Sequence, residues 1–216
     1  MRATGRGAKQ PATRDAGPVD RDAALTYLTE ALEKVLDGLP IVEPAHLDLV
    51  NTPRRVARMY YDELLSSYRK DKEAEFLAKL TTFDADGYDE IVMVANVPFA
   101  SLCAHHMIPF TGVAHLGYIP GKRIVGLSKI PRIVDFFSHK LQTQERLTVE
   151  IAEFFQQHVE PKGLFVVLEA VHYCMVMRGV QKAGSVTSTA ALRGVAARAS
   201  VKAEFNQHLS RVKRNG

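Results

Sequence analysis

Hydrophobic residues recur every three or four positions in the first part of the chain, a spacing typical of amphipathic helices. After Asp20, a residue type that caps helices, the apolar positions are Leu25, Leu28, Leu32, Val35 and Leu36. Gly38 and Pro40 end this first helix. Thr52 is predicted to cap a second helix with Pro53 in its first turn. Its apolar positions are Val56, Met59, Tyr60 and Leu64. A helical region is therefore predicted over residues 20–80.

From about residue 90 the pattern changes to short β-branched segments separated by helical ones. The predicted strands are Glu90–Val97, Thr111–Ile119, Arg123–Leu127, Leu164–Met175 and Ser185–Ala191, with a hairpin at Pro120-Gly121. The predicted helices are Ser128–His139, Thr143–His158 and Val201–Val212. A polar stretch, Thr81–Asp89, with a turn at Asp86-Gly87, precedes them. This order predicts an α+β domain over residues 81–216, with helices on one face of an antiparallel sheet.

The composition is that of an ordinary globular protein, with 46% hydrophobic and 24% charged residues in a chain of 216. No apolar run is long enough to cross a bilayer, and the first residues lack the apolar core of a signal peptide. We therefore expect a cytoplasmic protein that has no membrane partner. Because thiols stay reduced in the cytoplasm, a Cys103–Cys174 disulfide is less favoured than a metal site.

The formal net charge of +4 is concentrated at the two ends of the chain. Residues 1–21 contain five Lys or Arg and two Asp or Glu. Residues 193–216 contain six Lys or Arg and one Asp or Glu. Residues 1–19 have little to bury and are predicted to form a disordered basic tail. Such a tail can bind nucleic acid through phosphate contacts, but no signature of a nucleic-acid-binding fold accompanies it. We expect no nucleic-acid partner.

Both cysteines of the chain have histidine neighbours. Cys103 precedes His105 and His106, and Cys174 follows His172 by two positions. In a strand, residues two apart share a face, which would point His172 and Cys174 the same way. An extended chain would align Cys103 with His105, whereas a tight turn would align it with His106. Spacing leaves both arrangements open.

Zinc is the metal that this set of donors indicates, because thiolates and imidazoles are its usual ligands. Structural zinc sites take four protein ligands, and catalytic sites take three and keep one position open. Two cysteines with one histidine leave such a position, and further histidines could transfer protons near neutral pH. The alternative is that the cysteines are small buried apolar residues and that the histidines only form hydrogen bonds.

Four segments resemble successive motifs of the GTP cyclohydrolase I family. They are CAHHMIPF from residue 103, VGLSKIPR from residue 125, QERLT from residue 144 and EAVHYCMVMRG from residue 169. The resemblance covers about residues 51–191 and implies the T-fold. It also implies that zinc-activated water attacks C8 of GTP, after which the ring opens, formate leaves and rearrangement gives 7,8-dihydroneopterin triphosphate. That reaction begins folate or tetrahydropterin synthesis.

The resemblance further implies a role for individual residues. The implied zinc ligands are Cys103, His106 and Cys174, and the implied acid–base residues are His172 first and His105 second. The implied triphosphate contacts are Ser128, Lys129, Arg132 and Arg178, with Arg55 and Arg58 from the earlier helix. Free N–H groups at the helix start near Ser128 would also favour an anion. Gln144 and Glu145 are implied to read the guanine edge. Many family members have glutamate where this chain has Ala104.

The implied partners are GTP and further copies of the chain. Self-association would give a homodecamer, a dimer of pentamers, with active sites between subunits. Two other classes remain as alternatives. One is a binding protein whose zinc is structural, which requires a fourth protein ligand. The other is a related T-fold enzyme that uses a cysteine as its nucleophile and needs no metal.

Overall fold

The structure is a computed structural model that describes residues 20–40 and 49–215. The predicted disordered tail, residues 1–19, lies outside the described residues. The chain divides into two compact units, residues 1–57 and residues 58–216. None of the helices in the described part has both the length and the apolar character needed to cross a membrane.

The first unit contains helix α1, Arg21–Asp37, and most of helix α2, Thr52–Arg58. The predicted cap of α1 is confirmed, because the Asp20 carboxylate accepts a hydrogen bond from the backbone N–H of Ala23 at 3.1 Å. Helix α2 begins at Thr52 itself, so this residue is its first helical position and not its cap.

The second unit begins with three short helical segments: a π-helical turn at Met59–Leu64, a 3₁₀ turn at Ser66–Tyr68 and helix α3 at Lys70–Ala78. Strand β1, Thr82–Asp84, follows in the stretch predicted to be an irregular polar segment. The turn predicted next is confirmed, since Asp86 and Gly87 have φ values of 48° and 81°. Aspartate and glycine are among the residues that adopt this left-handed region most readily.

A five-stranded sheet in the order β5-β2-β3-β6-β7 forms the centre of the second unit. Its strands are β2 Val92–Cys103, β3 Pro109–Ile119, β5 Leu141–Gln142, β6 Gly163–His172 and β7 Thr187–Gly194. All neighbours are antiparallel except β2 and β5, which are parallel. The predicted α+β class is therefore confirmed.

Helices cover one face of this sheet and build the main core. They are α4, Lys129–Ser138, and α5, Gln144–Val159. Their buried side chains, such as Ile133 and Phe155, pack in one cluster with Tyr118 and Leu168 of the sheet. Helix α7, Ala199–Asn215, packs on the other face, where its Phe205 stacks on Phe165 with ring centroids 4.2 Å apart. Adjacent strand residues point to opposite faces, and this separates Phe165 from the core-facing positions on either side.

The predicted hairpin at Pro120-Gly121 is wrong. Strand β4, Arg123–Val125, pairs with β1 and not with β3. The reason is that β3 is already hydrogen-bonded on both edges, to β2 and to β6, so it has no edge left for β4. The backbone N–H of Val125 donates instead to the Tyr118 hydroxyl at 3.1 Å, which fastens β4 to the core.

The strand predicted to run through Met175 ends earlier, at His172. A short helical turn, α6, Tyr173–Val176, follows it and carries Cys174. The last pair in the register of β3 with β6 joins Phe110 to His172. The preceding residue of β3 is Pro109, which has no N–H to extend the ladder. The shared strand face expected for His172 and Cys174 is therefore wrong.

Gly112 lies in β3 at a position where β6 leaves no room for a side chain, and replacing it should destabilise the sheet. A Cβ at this position would lie 1.9 Å from the backbone oxygen of Glu169, so Gly112→Ala must push the two strands apart. We expect a loss of about 1–3 kcal/mol in the free energy of unfolding, measured by urea titration. Gly126→Ala is the matched control, because its nearest neighbours lie 3.5 Å away. Equal stability of the two variants would contradict the prediction.

Candidate metal centre

Cys103 is the last residue of β2 and opens a tight turn that is closed by backbone hydrogen bonds. The N–H of Cys103 donates to the Ile108 carbonyl at 2.9 Å, and the N–H of Met107 donates to the Cys103 carbonyl at 2.8 Å. Met107 has a φ of 53°, which reverses the chain. On the outer side, the N–H of Ala104 donates to the carbonyl of Gln142 in β5 at 2.9 Å. The thiol is therefore fixed at the end of the sheet by the main chain.

Three side chains converge at this turn. One ligand atom from each of Cys103, His106 and Cys174 lies within 4.8 Å of the other two. The tight turn, and not the extended chain, is thus the arrangement that forms, and it brings His106 into the cluster. His105 stays beside it, with Nδ1 at 3.6 Å from the Cys103 sulfur. Among the described residues, no fourth metal-binding side chain joins the cluster.

The cluster fits zinc in both chemistry and size. Zinc holds sulfur at about 2.3 Å and nitrogen at about 2.0–2.1 Å, so its tetrahedral ligands lie about 3.5–3.8 Å apart. The observed separations need only small side-chain movements to reach that value. Burial raises the pKa of the Cys174 thiol, and the neighbouring Cys103 raises it further. Two thiolates at this distance repel each other, and a divalent cation is what stabilises them together.

Arg178 lies directly against the cluster. Its guanidinium Nη1 donates to Nε2 of His106 at 2.8 Å. A guanidinium is always charged and only donates, so Nε2 of His106 is the acceptor in this contact. The cation predicted to bind phosphate therefore lies beside a metal ligand, where it would attract an anionic substrate.

His172 lies in a defined environment at the end of β6. Its ring stacks on Phe110 with centroids 4.8 Å apart and planes 2° from parallel. Its Nε2 lies 2.7 Å from Oε1 of Gln144, the first residue of α5. Burial lowers the pKa of His172, and the Glu145 carboxylate opposes this only in part. The ring is thus held in one orientation and favours its neutral form.

The start of α4 has fewer free amides than the sequence suggests. The N–H of Lys129 donates to the Gly126 carbonyl at 2.8 Å, and the N–H of Ile130 donates to the Leu127 carbonyl at 3.2 Å. The next residue is a proline, which has no N–H. The expectation of free donors at this helix start is therefore wrong for these positions.

The other predicted phosphate contacts lie in different surroundings. Ser128 is exposed, and its side chain makes no capping hydrogen bond to α4. Arg132 lines a cavity of about 250 Å³ together with Lys72 and Lys79 of the α3 region. Arg55 and Arg58 are exposed residues of α2 that fall in different compact units. A phosphate-binding role for these four residues stays a prediction.

The two residues predicted to read guanine differ in exposure. Glu145 is exposed in the first turn of α5 and can reach a ligand. Gln144 is only 1% exposed, and both ends of its amide form hydrogen bonds inside the protein. The two neighbours therefore differ in their access to a ligand, although the resemblance assigns the same role to both.

Gln142 supports the site and was not found from the sequence. Besides its carbonyl bond to Ala104, its amide nitrogen donates to the Phe137 carbonyl at 3.0 Å and to Glu150 at 2.7 Å. Its Oε1 accepts from Arg146 Nε at 2.6 Å. The two-residue strand that carries it is too short to leave a hydrophobic pattern, so no sequence signal identifies it.

The sequence of the chain is similar to those of known proteins that share one family description. The family model "GTP cyclohydrolase I" matches residues 28–210. The chain is 46% identical to GTP cyclohydrolase 1 of Sulfurihydrogenibium sp. over 168 residues, 77% of this chain and 84% of that protein. It is 44% identical to GTP cyclohydrolase 1 of Caldanaerobacter subterraneus over 194 residues, 87% of this chain and 98% of that protein. A solved structure of an archaeosine synthase QueF-Like protein matches with a TM-score of 0.41 and 17% identity, covering 48% of this chain and 93% of that one.

Removing a thiol from the cluster should release the metal. Cys174→Ser replaces a soft thiolate by a hydroxyl, so we expect zinc affinity to fall by at least about 100-fold. Zinc per chain, measured by atomic emission after dialysis against a competing chelator, checks this. Tyr173→Phe is the control, because it changes the adjacent exposed side chain and leaves the three donors in place. Unchanged zinc in Cys174→Ser would remove this residue from the ligand set.

Proposed function

The chain belongs to the GTP cyclohydrolase I family, and from its metal centre we propose which residues carry out the family's reaction. The protein is an enzyme that converts GTP to dihydroneopterin triphosphate, with zinc as its cofactor. The observation that carries the assignment of roles is the convergence of Cys103, His106 and Cys174. His105 lies beside this cluster, and His172 is two positions before Cys174. A closed structural site would need a fourth ligand, and the cluster in the described part of the chain has three.

The cluster residues hold the metal, and their neighbours handle protons. When bound, zinc supplies a Lewis acid that makes water nucleophilic at neutral pH. Opening of the purine imidazole ring requires a proton at a ring nitrogen. His172 is the first choice for this transfer, because its ring is fixed by two contacts and its lowered pKa favours a neutral form that can accept and return a proton. His105, next to the Cys103 sulfur, is the second choice.

In this proposal basic side chains and one serine bind the triphosphate of the substrate. Arg178, Lys129, Arg132 and Ser128 contact the triphosphate, with Arg55 and Arg58 as further cations. The position of Arg178 against His106 supports this, since it puts a permanent positive charge next to the reacting centre. The exposed Glu145 carboxylate accepts hydrogen bonds from the N1–H and 2-amino group of guanine. Adenine does not offer that pair of donors.

The proposal also covers the domain organisation of the chain and its location in the cell. The proposed division is functional: residues 81–216 form the catalytic domain and residues 20–80 a helical region, because every proposed zinc ligand and proton carrier lies in the later part. The compact units of the fold divide earlier, after residue 57. A cytoplasmic location suits two thiols that must remain reduced to bind zinc.

Assembly into a homodecamer with active sites between subunits completes the proposal. Large apolar side chains are exposed in the segment between the metal ligand Cys174 and strand β7, namely Met177, Val180 and Val186 at 64%, 61% and 62%. Apolar groups exposed together in this way mark an interaction surface. Strand β7 is also an open edge of the described sheet, and natural proteins commonly cover such edges.

The reaction itself is tested by formate release from GTP. One preparation is assayed as purified, after chelation, and after zinc is restored. We expect activity to disappear when the metal is removed and to return when zinc is added, because water becomes a nucleophile at neutral pH only through the zinc ion. Activity that survives complete chelation would favour a cysteine nucleophile. Absence of formate from zinc-loaded, folded protein would contradict the assigned reaction.

Assembly is tested on the exposed apolar segment. Val180→Lys and Val186→Lys would put a charge into the proposed interface, and we expect sedimentation to show species far below ten times the 24.0 kDa chain mass. Lys182→Ala, an exposed change between them, should leave the assembly intact. A wild-type protein that sediments as a monomer would overturn the decamer.

A further inference from the structure

Gln144 lies where the core of the second unit meets the end of the sheet. It is the first residue of α5 and is 1% exposed. Its amide nitrogen is within hydrogen-bond distance of three acceptors: the Leu168 carbonyl at 3.1 Å, the Thr187 carbonyl at 3.0 Å and the Thr189 hydroxyl at 3.2 Å. Its amide oxygen lies 2.7 Å from His172 Nε2.

These contacts decide which way the amide points. Carbonyl oxygens only accept, so the atom that faces Leu168 and Thr187 must be the NH₂ group. The opposite orientation would place an oxygen against two carbonyl oxygens. Consequently Oε1 is the atom that faces His172, and it accepts a hydrogen bond from Nε2–H.

A closed ring of hydrogen bonds reinforces this orientation. The Thr148 hydroxyl donates to the backbone carbonyl of Gln144 at 2.7 Å, which uses its only proton. The Thr148–Thr189 hydroxyl contact at 2.6 Å must then take its proton from Thr189. The Thr189 oxygen remains an acceptor for the Gln144 amide. Because the backbone carbonyl of Gln144 can only accept, it determines the donor and the acceptor of every hydrogen bond in the ring.

The same contacts determine where neutral His172 carries its proton. Because Gln144 Oε1 can only accept, the proton is on Nε2, and Nδ1 presents its lone pair. The stacked Phe110 ring prevents the imidazole from turning out of its plane. Among the described residues, Nδ1 has no hydrogen-bond partner of its own, and it is the nitrogen left for substrate.

We propose that Gln144 is a positioning residue, which fixes the tautomer and ring orientation of His172 and presents Nδ1 to the substrate. This inference rests on the proposed proton-transfer role of His172. It changes the role that the resemblance implies for Gln144, because its NH₂ group is fully used by the protein and is not free to read guanine. Guanine recognition then falls to the exposed neighbour Glu145.

The experiment separates positioning from substrate recognition by comparing kcat with KM for GTP. Gln144→Met keeps the length of the side chain and removes its hydrogen bonds. We expect kcat to fall by about 10- to 100-fold, as is typical when a residue that orients a functional histidine is lost, and KM to change by less than about 3-fold. Glu145→Gln should show the reverse, a raised KM. Zinc content and thermal unfolding are measured on every variant.

A double-mutant cycle tests whether Gln144 acts through His172. In a His172→Ala background, Gln144→Met should cause no further loss of kcat, because the group that it positions is absent. A raised KM in Gln144→Met, or an equal loss of kcat in both backgrounds, would show direct contact with substrate and overturn the proposal.

If Gln144→Met loses zinc or unfolds, Thr189 in β7 provides a second test of the proposal. Thr189→Val removes one acceptor of the amide and breaks the hydrogen-bond ring, and it should lower kcat by about 3- to 10-fold. Thr189→Ser keeps the hydroxyl and should restore wild-type kcat. Indistinguishable kcat values for these two variants would overturn the proposal. Wild-type protein that releases no formate would instead contradict the assigned reaction.

Discussion

The pairing of β3 with both of its neighbours is the constraint on which the site depends. One row of the sheet joins Ser101 in β2, Phe110 in β3 and His172 in β6. Cys103 and Cys174 each lie two residues beyond this row, on opposite sides of the central strand. The two thiols approach each other because β3 begins there, at Pro109, which has no N–H to extend the ladder with β6. A shift of register by one residue would separate the sulfurs and turn His172 to the other face.

Sequence reasoning succeeded where a residue type is chemically distinctive and where long patterns repeat. Cys103 and Cys174 could be proposed with a neighbouring histidine because thiols and imidazoles near each other are rare, whereas the choice of His106 over His105 came from the family resemblance. Helix α5 was found within one residue at each end. It failed where pairing between distant segments decides the outcome. The partner of β4 and the end of β6 depend on which edges of β3 are occupied by other strands. The local hydrophobic pattern contains no information about that pairing. The two-residue strand β5 lies below the length at which periodicity exists.

Charge around the site comes from side chains more than from the backbone. The N–H groups of Lys129 and Ile130 at the start of α4 are used in their own turn, whereas the guanidinium of Arg178 lies against His106. A guanidinium on a long side chain is mobile where a backbone donor is fixed, so in the proposed role Arg178 can follow a triphosphate as its position changes during a reaction with several steps. By contrast, His172 is held rigidly by Phe110 and Gln144. Under the proposed roles, a mobile cation for substrate binding is thus combined with a rigidly held histidine for proton transfer.

The turn at Cys103 is built from main-chain bonds, and this bears on the alanine that follows the cysteine. Ala104 contributes its N–H to the Gln142 carbonyl, while its side chain faces solvent. Any residue with an N–H can make that bond, so the identity of the side chain at 104 is independent of the ligand geometry. A glutamate there would add one negative charge beside the cluster without moving a donor atom. Position 104 is therefore a place where evolution can adjust the electrostatic potential at the metal while the coordination stays constant.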